Sequence, residues 1–314
     1  MKPMNRVKVI SPCSSANLGS GFDVFGLALE MFHDVLTAEL SHKGIALEVT
    51  GLDAEKIPTD LDKNTAGLVA RNLLGGRGFG VKIRLEKGIP LNMGLGSSGA
   101  SAAACAVALN RLLGLGLSQN ELVKIAAMGE VAAAGAGHAD NVAASILGGF
   151  ALVQVWGDSL VAVRMNPPPN LEVALAMPII ETPESKTAVA RAILPKSVPL
   201  ECAVSNLRNA ASVVAGFHLG DIAMIGCGMT DVIVEPARMR LIPNYKAVKK
   251  AAFEAGASGV AISGAGPAVI AVVDDTKVSA LDVAEAMRDA FLGAGIRCEA
   301  RSSRPSLKGT VIMS

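Results

Sequence analysis

One stretch restricts the fold more than any other: PLNMGLGSSGASAAACAVALNRLL, residues 90–113. The preceding VKIRLEKGIP alternates at Val81, Ile83 and Leu85, so it reads as a half-buried strand, ended by Gly88 and Pro90. From Ser98 to Leu113 the residues are mostly good helix formers, and Gly114 is placed to cap them. Gly94, Gly96 and Gly99 then sit at a helix N-terminus, where backbone N–H groups lack partners and the helix carries about half a positive charge. Glycine lets an anion reach those groups with no Cβ in its way. Ser97 and Ser98 add hydroxyls suited to a phosphate oxygen or a magnesium ion. The stretch reads as a phosphate cradle backed by a tightly packing helix of small residues. A plain cap on a core helix would use the same residues.

Two familiar nucleotide loops do not fit. GLGSSG matches G-x-G-x-x-G, but a dinucleotide fold needs a second strand about 20 residues on, with an acidic residue for the ribose. That distance instead holds a second helix, LSQNELVKIAAMGEVAAAG, opened by a capping box of Ser118 and Glu121. The lysine-bearing loop G-x-x-x-x-G-K-[ST] is absent from the chain. A nucleotide bound here is bound in another fold.

The rest of the chain sets the scale. Its 314 residues suit one large domain or two smaller ones. Apolar residues make up 51% and aromatics only 3%, so a substantial core is expected to be aliphatic and alanine-rich. The formal charge is +1 with no dense Lys/Arg block, which argues against nucleic acid or an anionic membrane as partner. Cys13, Cys105, Cys202, Cys227 and Cys298 are scattered without a CxxC pair, as expected of reduced cytoplasmic thiols and not of a metal cage. The first residues lack an apolar signal core. The uncharged run 255–273 contains four glycines and Pro267 before its last strand and reads as strand, turn, strand, not as a membrane span.

NPPPN at 166–170 is the clearest linker, which gives an N-terminal domain over 1–165 and a C-terminal one over 166–314. Before it, strands are expected at Val7–Ile10, roughly 34–50, 81–86 and 149–164. After it come LEVALAMP, a polar loop around Thr182, helices from about 184 to 228 and near 246–255, a strand pair around Gly264–Pro267, a helix at 278–293 and a closing strand. This mixture implies α+β.

Three further places could carry chemistry. Glu130 has Ala126, Ala127, Ala133 and Ala134 as its helical neighbours, with no cation to pair with. Such a face is made for packing, so the carboxylate is expected to be buried with a partner, and a magnesium ion shared with a serine hydroxyl and phosphates is a natural one. PCSSANLGSGFDVFGLAL, 12–29, reads either as a plain loop between strands or as a substrate loop in which Asn17 presents an amide and Asp23 a carboxylate for an amine. GAGHADNVAASILGG, 135–149, clusters His138, Asp140 and Asn141 amid small residues.

Taken together these stretches resemble the GHMP small-molecule kinases, and within them the branch that phosphorylates L-homoserine. PLNMGLGSSGAS is similar to that superfamily's phosphate loop. SSANLGSGFD, GHADNVAASILGG, KTAVARAILP, DVIVEPARMRLIP and SGAGPAVIA match in order and spacing, over essentially the whole chain. Cys13 stands where alanine is usual and Ser20 where proline is expected. The resemblance implies a two-domain α+β fold, an S5-like N-terminal domain and a ferredoxin-like C-terminal one, and ATP-dependent phosphorylation in threonine biosynthesis. It implies that Pro90, Leu91, Asn92, Met93, Gly94, Leu95, Gly96, Ser97, Ser98, Gly99 and Ala100 wrap the phosphates of ATP. Ser98 and Glu130 would hold Mg2+. Asn64 and Lys87 would lie near the nucleoside. Asn17, Asp23, His138, Asp140, Arg191 and Arg238 would line the amino-acid site, with Glu130, Asp140, Asn141 and Arg191 serving catalysis. Asp23 is then the anion for the substrate ammonium, and Arg191 and Arg238 are the cations for its carboxylate. The rival is a kinase of the same superfamily for mevalonate or shikimate. A cytoplasmic enzyme is implied, and a homodimer is compatible with it.

Overall fold

The computed structural model describes residues 5–134, 138–157, 159–181 and 186–313, without the side chains of 131–134. The expected polar loop around Thr182 and the start of GAGHADN lie outside them, as do the side chains of Ala133 and Ala134, two of the alanines expected beside Glu130.

The described residues of the N-terminal half form β1 (Arg6–Ala16), β2 (Phe25–Ser41), β3 (Ile45–Gly51), α1 (Thr65–Leu74), β4 (Gly80–Lys87), α2 (Ser97–Leu113), α3 (Gln119–Ala134), α4 (Ala139–Leu147), β5 (Phe150–Trp156) and β6 (Ser159–Met165). The C-terminal half adds β7 (Leu171–Pro178), α5 (Lys186–Ala192), α6 (Leu200–Leu219), α7 (Ile222–Gly228), α8 (Glu235–Arg238), α9 (Tyr245–Glu254), β8 (Gly259–Ile262), β9 (Val269–Asp274), α10 (Ala280–Leu292), β10 (Cys298–Ser303) and β11 (Val311–Met313).

The first sheet is built around β2. This strand runs antiparallel to β1 along its length, with a register shift at Pro12/Cys13. Its second half pairs with β4 and its first half with β5. Residues 12–16 and 25–29, expected as loop, are therefore strand, and only Asn17–Val24 connect them. The regions expected as single strands at 34–50 and 149–164 are each a strand, a turn and a second strand. Against this sheet pack α1, α2, α3 and α4. Their small residues allow close approach: Ala102, Ala103, Ala104, Cys105, Ala106 and Ala108 of α2 are all fully buried.

The second sheet runs β10-β7-β9-β8, all antiparallel. With α6 and α7 after β7, and α10 between β9 and β10, this is the ferredoxin-like arrangement expected. One face of the sheet packs on α9 and α10. The other closes with α6 and α7 over the first domain. There Phe150 stacks on Phe217 at 3.9 Å and meets Phe25 edge-on at 5.1 Å. The linker Asn166–Asn170 passes between the sheets, and the chain end returns: β11 pairs with β1 in the first sheet. The two sheets thus share one core, and the cavity described next opens at their junction.

Candidate active site

The cradle forms as a loop and a helix start. Gly96 caps α2 in the left-handed conformation (φ 66°) with no side chain bonded to the first-turn amides. The glycines have a second reason for being there. A Cβ on Gly94 would stand 2.1 Å from the Ser263 carbonyl oxygen, and one on Gly96 would stand 2.2 Å from Ser14 Oγ. The loop is pressed between strand β1 and the second domain, and only glycine fits. That second domain supplies the Ser263–Ala268 turn. Ser263 Oγ donates to the Gly94 carbonyl at 2.7 Å, and Ala268 N donates to the Met93 carbonyl at 3.2 Å. The Gly266–Pro267 peptide of this turn is cis.

The two serines separate. Ser97 is buried and donates its hydroxyl to the Ile89 carbonyl at 3.0 Å, whereas Ser98 is exposed at the cavity. Beneath the loop Lys87 and Asp34 form a fully buried ion pair. Lys87 also donates to the Ser97 carbonyl (2.9 Å) and Ser101 Oγ (2.8 Å), and Asp34 accepts from the amides of Gly88 and Ile89. Lys87 is therefore spent bracing the loop from below. Asn64 is spent too: it caps α1 by accepting from Ala66 N and Gly67 N, and it donates to the Pro58 carbonyl. Neither of these two expected nucleoside contacts lines the cavity, because their polar atoms satisfy the backbone around them.

The cavity is lined by Pro90 to Ser98 and by Asn17, Asp23, Glu130, His138, Asp140, Asn141, Arg191 and Arg238. Gly99 and Ala100 are buried behind it in the first turn of α2. Elements distant in sequence thus converge on one space.

Glu130, near the end of α3, is 1% exposed. Its Oε2 lies 3.0 Å from His138 Nδ1, while its buried Oε1 has no hydrogen-bond partner. An orphaned buried carboxylate oxygen is costly unless a ligand completes it. With the free Ser98 hydroxyl on the same cavity, this donor set fits a hard divalent cation such as Mg2+, which takes few protein ligands and completes its shell with phosphate oxygens and water. Among the described residues no cluster of His, Cys, Asp and Glu could hold a metal by itself.

Asp140 and Asn141 open α4. Burial pushes the Asp140 carboxyl up to about 6, opposed by the neighbouring His138 and by the Asn141 amide it accepts from at 2.8 Å. Burial pushes the His138 imidazolium down, but the bond to Glu130 and the charges of Glu130 and Asp140 outweigh it and leave its pKa raised. Asn141 Oδ1 accepts from Ser14 Oγ at 3.0 Å, which fixes its amide.

At the other end, Asn17 is committed within the loop: its Nδ2 donates to the Gly264 carbonyl (2.9 Å) and its Oδ1 accepts from Asp23 N (3.1 Å). Asp23 is gripped by Arg191 through two parallel bonds of 2.9 and 3.0 Å. The carboxylate expected to meet an ammonium and an arginine expected to meet a carboxylate thus pair with each other in this structure. Arg238, 5% exposed, donates to the carbonyls of Ala190 and Gly264. Both guanidinium groups lie over the Phe22 ring, at 5.4 and 4.9 Å from its centroid.

One cation was not anticipated. Lys186, the first residue of α5, lines the same cavity and donates to the carbonyls of Asn92 (2.6 Å) and Gly266. It ties the phosphate loop to the second-domain turn. Burial, and then the charge of Arg238, hold its pKa down at about 7. In sequence it is one lysine before a helix, a pattern that surface lysines share.

Known proteins match this architecture. The model of the GHMP kinases N-terminal domain covers residues 63–149, and that of the GHMP kinases C-terminal domain covers 213–292. The homoserine kinase of Thermoplasma acidophilum is 46% identical over 87% of this chain and 86% of its own. That of Halorubrum lacusprofundi is 44% identical over 98% of this chain and 99% of its own. The crystal structure of homoserine kinase from Cytophaga hutchinsonii superposes with a TM-score of 0.91 at 37% identity, covering 100% of this chain and 99% of that one. Mevalonate diphosphate decarboxylase from Staphylococcus aureus, at 17% identity and a TM-score of 0.67 over 99% and 98% of the two chains, shares the fold alone. The chain belongs to the GHMP kinases, and among them to the homoserine kinases.

Proposed function

We propose that the protein transfers the γ-phosphoryl group of ATP to the side-chain hydroxyl of L-homoserine, as a step of threonine biosynthesis. The observation that carries this reading is one cavity with a phosphate-binding helix start at one end and a zwitterion-sized set of opposite charges, Asp23 with Arg191 and Arg238, at the other. Ser98 and Glu130 would hold Mg2+, which supplies charge neutralisation for the phosphates when bound. The first-turn amides of α2 take the phosphate oxygens. Binding of the amino acid exchanges the Asp23–Arg191 pair for two pairs with the substrate, ammonium to Asp23 and carboxylate to the arginines.

The substrate hydroxyl then lies toward Asp140 and Asn141. Its oxygen attacks the γ-phosphorus, the bond to the bridging oxygen breaks and ADP leaves. The hydroxyl proton goes to Asp140, whose carboxyl, held at about 6, is ionised at neutral pH yet basic enough to accept it late in the transfer. Asn141, fixed by Ser14, orients the hydroxyl.

Mevalonate carries no ammonium, so it would leave Asp23 without the partner that replaces Arg191, and shikimate likewise. Five free thiols fit a cytoplasmic enzyme, and no described helix is long and apolar enough to cross a membrane. The test is ADP release with homoserine, mevalonate and shikimate in parallel. Turnover of homoserine above both others is expected. Turnover of mevalonate or shikimate without homoserine overturns the substrate.

A further inference from the structure

The phosphate loop carries no cation of its own. Residues 90–100 contain neither lysine nor arginine. Lys87, just before them, is turned beneath the loop and paired with Asp34. A polyphosphate at the start of α2 would therefore meet a helix end worth about half a charge, and whatever cation other elements bring.

Among the described residues, Arg191, Arg238 and Lys186 are the lysine and arginine side chains that line the cavity. The arginines are held at its amino-acid end, Arg191 by Asp23 and Arg238 by the carbonyls of Ala190 and Gly264. Lys186 alone of the three sits against the loop. Its ammonium donates to the Asn92 carbonyl within the loop and to the Gly266 carbonyl of the second-domain turn. An ammonium has three N–H groups, and among the described residues the third has no protein acceptor.

The charge is as incomplete as the hydrogen bonding. Lys186 is 8% exposed, and both of its acceptors are neutral carbonyls. The loop and the Ser263–Ala268 turn bear no ionisable side chain. Arg238 faces it from α8 with a charge of the same sign, and Glu181, exposed at an adjoining recess, forms no ion pair with it. A buried cation without a counter-charge is costly until an anion reaches it. Glu130, with its orphaned oxygen, and Lys186, with its free N–H, thus line the same cavity with opposite needs, one for a cation and one for an anion.

We propose that Lys186 is the cation of the phosphate loop, supplied from the second domain: with nucleotide bound, its third N–H and its charge meet a phosphate oxygen, while its bonds to Asn92 and Gly266 keep loop and turn together. The inference rests on the phosphate end of the cavity proposed above and adds to it a binding residue outside the glycine-serine stretch.

Calorimetric titration of the full chain with magnesium ATP tests it. Lys186→Met keeps most of the side chain's length without its charge. Lys186→Gln is also neutral but can still donate to a loop carbonyl, so it separates the charge from the clasp between loop and turn. Both should weaken ATP binding by about 10- to 100-fold at about pH 6. If Lys186→Met does not fold, Lys186→Gln decides alone. Groups common to wild type and Lys186→Gln cancel in the ratio of their affinities. That ratio should shrink toward about pH 8.5, because above about 7 the free amine must first take up a proton to meet the phosphate. ATP affinity within about threefold of wild type in either folded variant overturns the proposal, and so does a ratio that is the same at both pH values. Because ATP binding is read without the acceptor alcohol, a wrong substrate assignment leaves this test standing. A wild type that binds no ATP overturns the phosphate end itself.

Discussion

Glu130→Gln separates a catalytic role from a structural one because the two predict opposite signs. The wild-type carboxylate is 1% exposed, and one of its oxygens is buried without a partner. Such an atom costs about 1–3 kcal/mol, and a neutral amide in its place costs less, while its carbonyl can keep the bond to His138. The ligand-free variant should therefore gain up to about 1 kcal/mol, read as a melting temperature higher by about 1–2 °C. Turnover should move the other way. Removing one preorganised charge-stabilising group costs about 2.7–4 kcal/mol, roughly a 100- to 1000-fold loss in kcat. A second readout follows from the neighbour. The His138 imidazolium is held up against burial by Glu130 first and Asp140 second, so its pKa should drop in the variant. Thermal unfolding without nucleotide, ADP release against magnesium concentration and histidine titration by NMR give the three values. A kcat within about threefold of wild type at an unchanged magnesium requirement refutes the catalytic role. A melting temperature that falls together with activity refutes it equally, because lost structure then accounts for both.

Two further outcomes follow from the same cavity. Arg238→Met removes a buried guanidinium and should lower kcat/KM for homoserine by roughly 30-fold or more, whereas the half-exposed, solvent-screened Arg191→Met should cost about tenfold; ATP affinity should stay within about threefold in both, and an equal loss for ATP would place these side chains outside the amino-acid end. Because the Asp140 carboxyl is raised to about 6, its ionised fraction is lost as pH falls through that value, so kcat/KM for homoserine should fall on the acid side with a limb that Asp140→Asn removes. Near-normal turnover by Asp140→Asn would mean that positioning by Asn141 suffices without a base. Abolished turnover with intact homoserine binding would establish the base.

The sequence made the local half of this site legible and hid the half that depends on distance. Alternation at Val81, Ile83 and Leu85 announced β4, and the glycine-serine run announced the start of α2, because both signals lie within a few residues. The first half of β2 did not announce itself: Phe25, Gly26, Leu27, Ala28 and Leu29 are all buried, so no period of two survives to be read. The Asp23–Arg191 pair spans 168 residues of sequence, and nothing local marks either partner as taken. The same division runs through the cradle itself. A glycine at a helix start can be explained from sequence by the approach of an anion, but Gly94 and Gly96 are also required by protein atoms, the Ser263 carbonyl and Ser14 Oγ, that come from another domain and another strand. Likewise Ser97 and Ser98 are equivalent as residue types, and only the Ile89 carbonyl, which takes the first hydroxyl, leaves the second facing the cavity. The chemistry of a site can thus be read from its residue types, whereas the assignment of roles among identical residues is made by whichever neighbours the fold has already used.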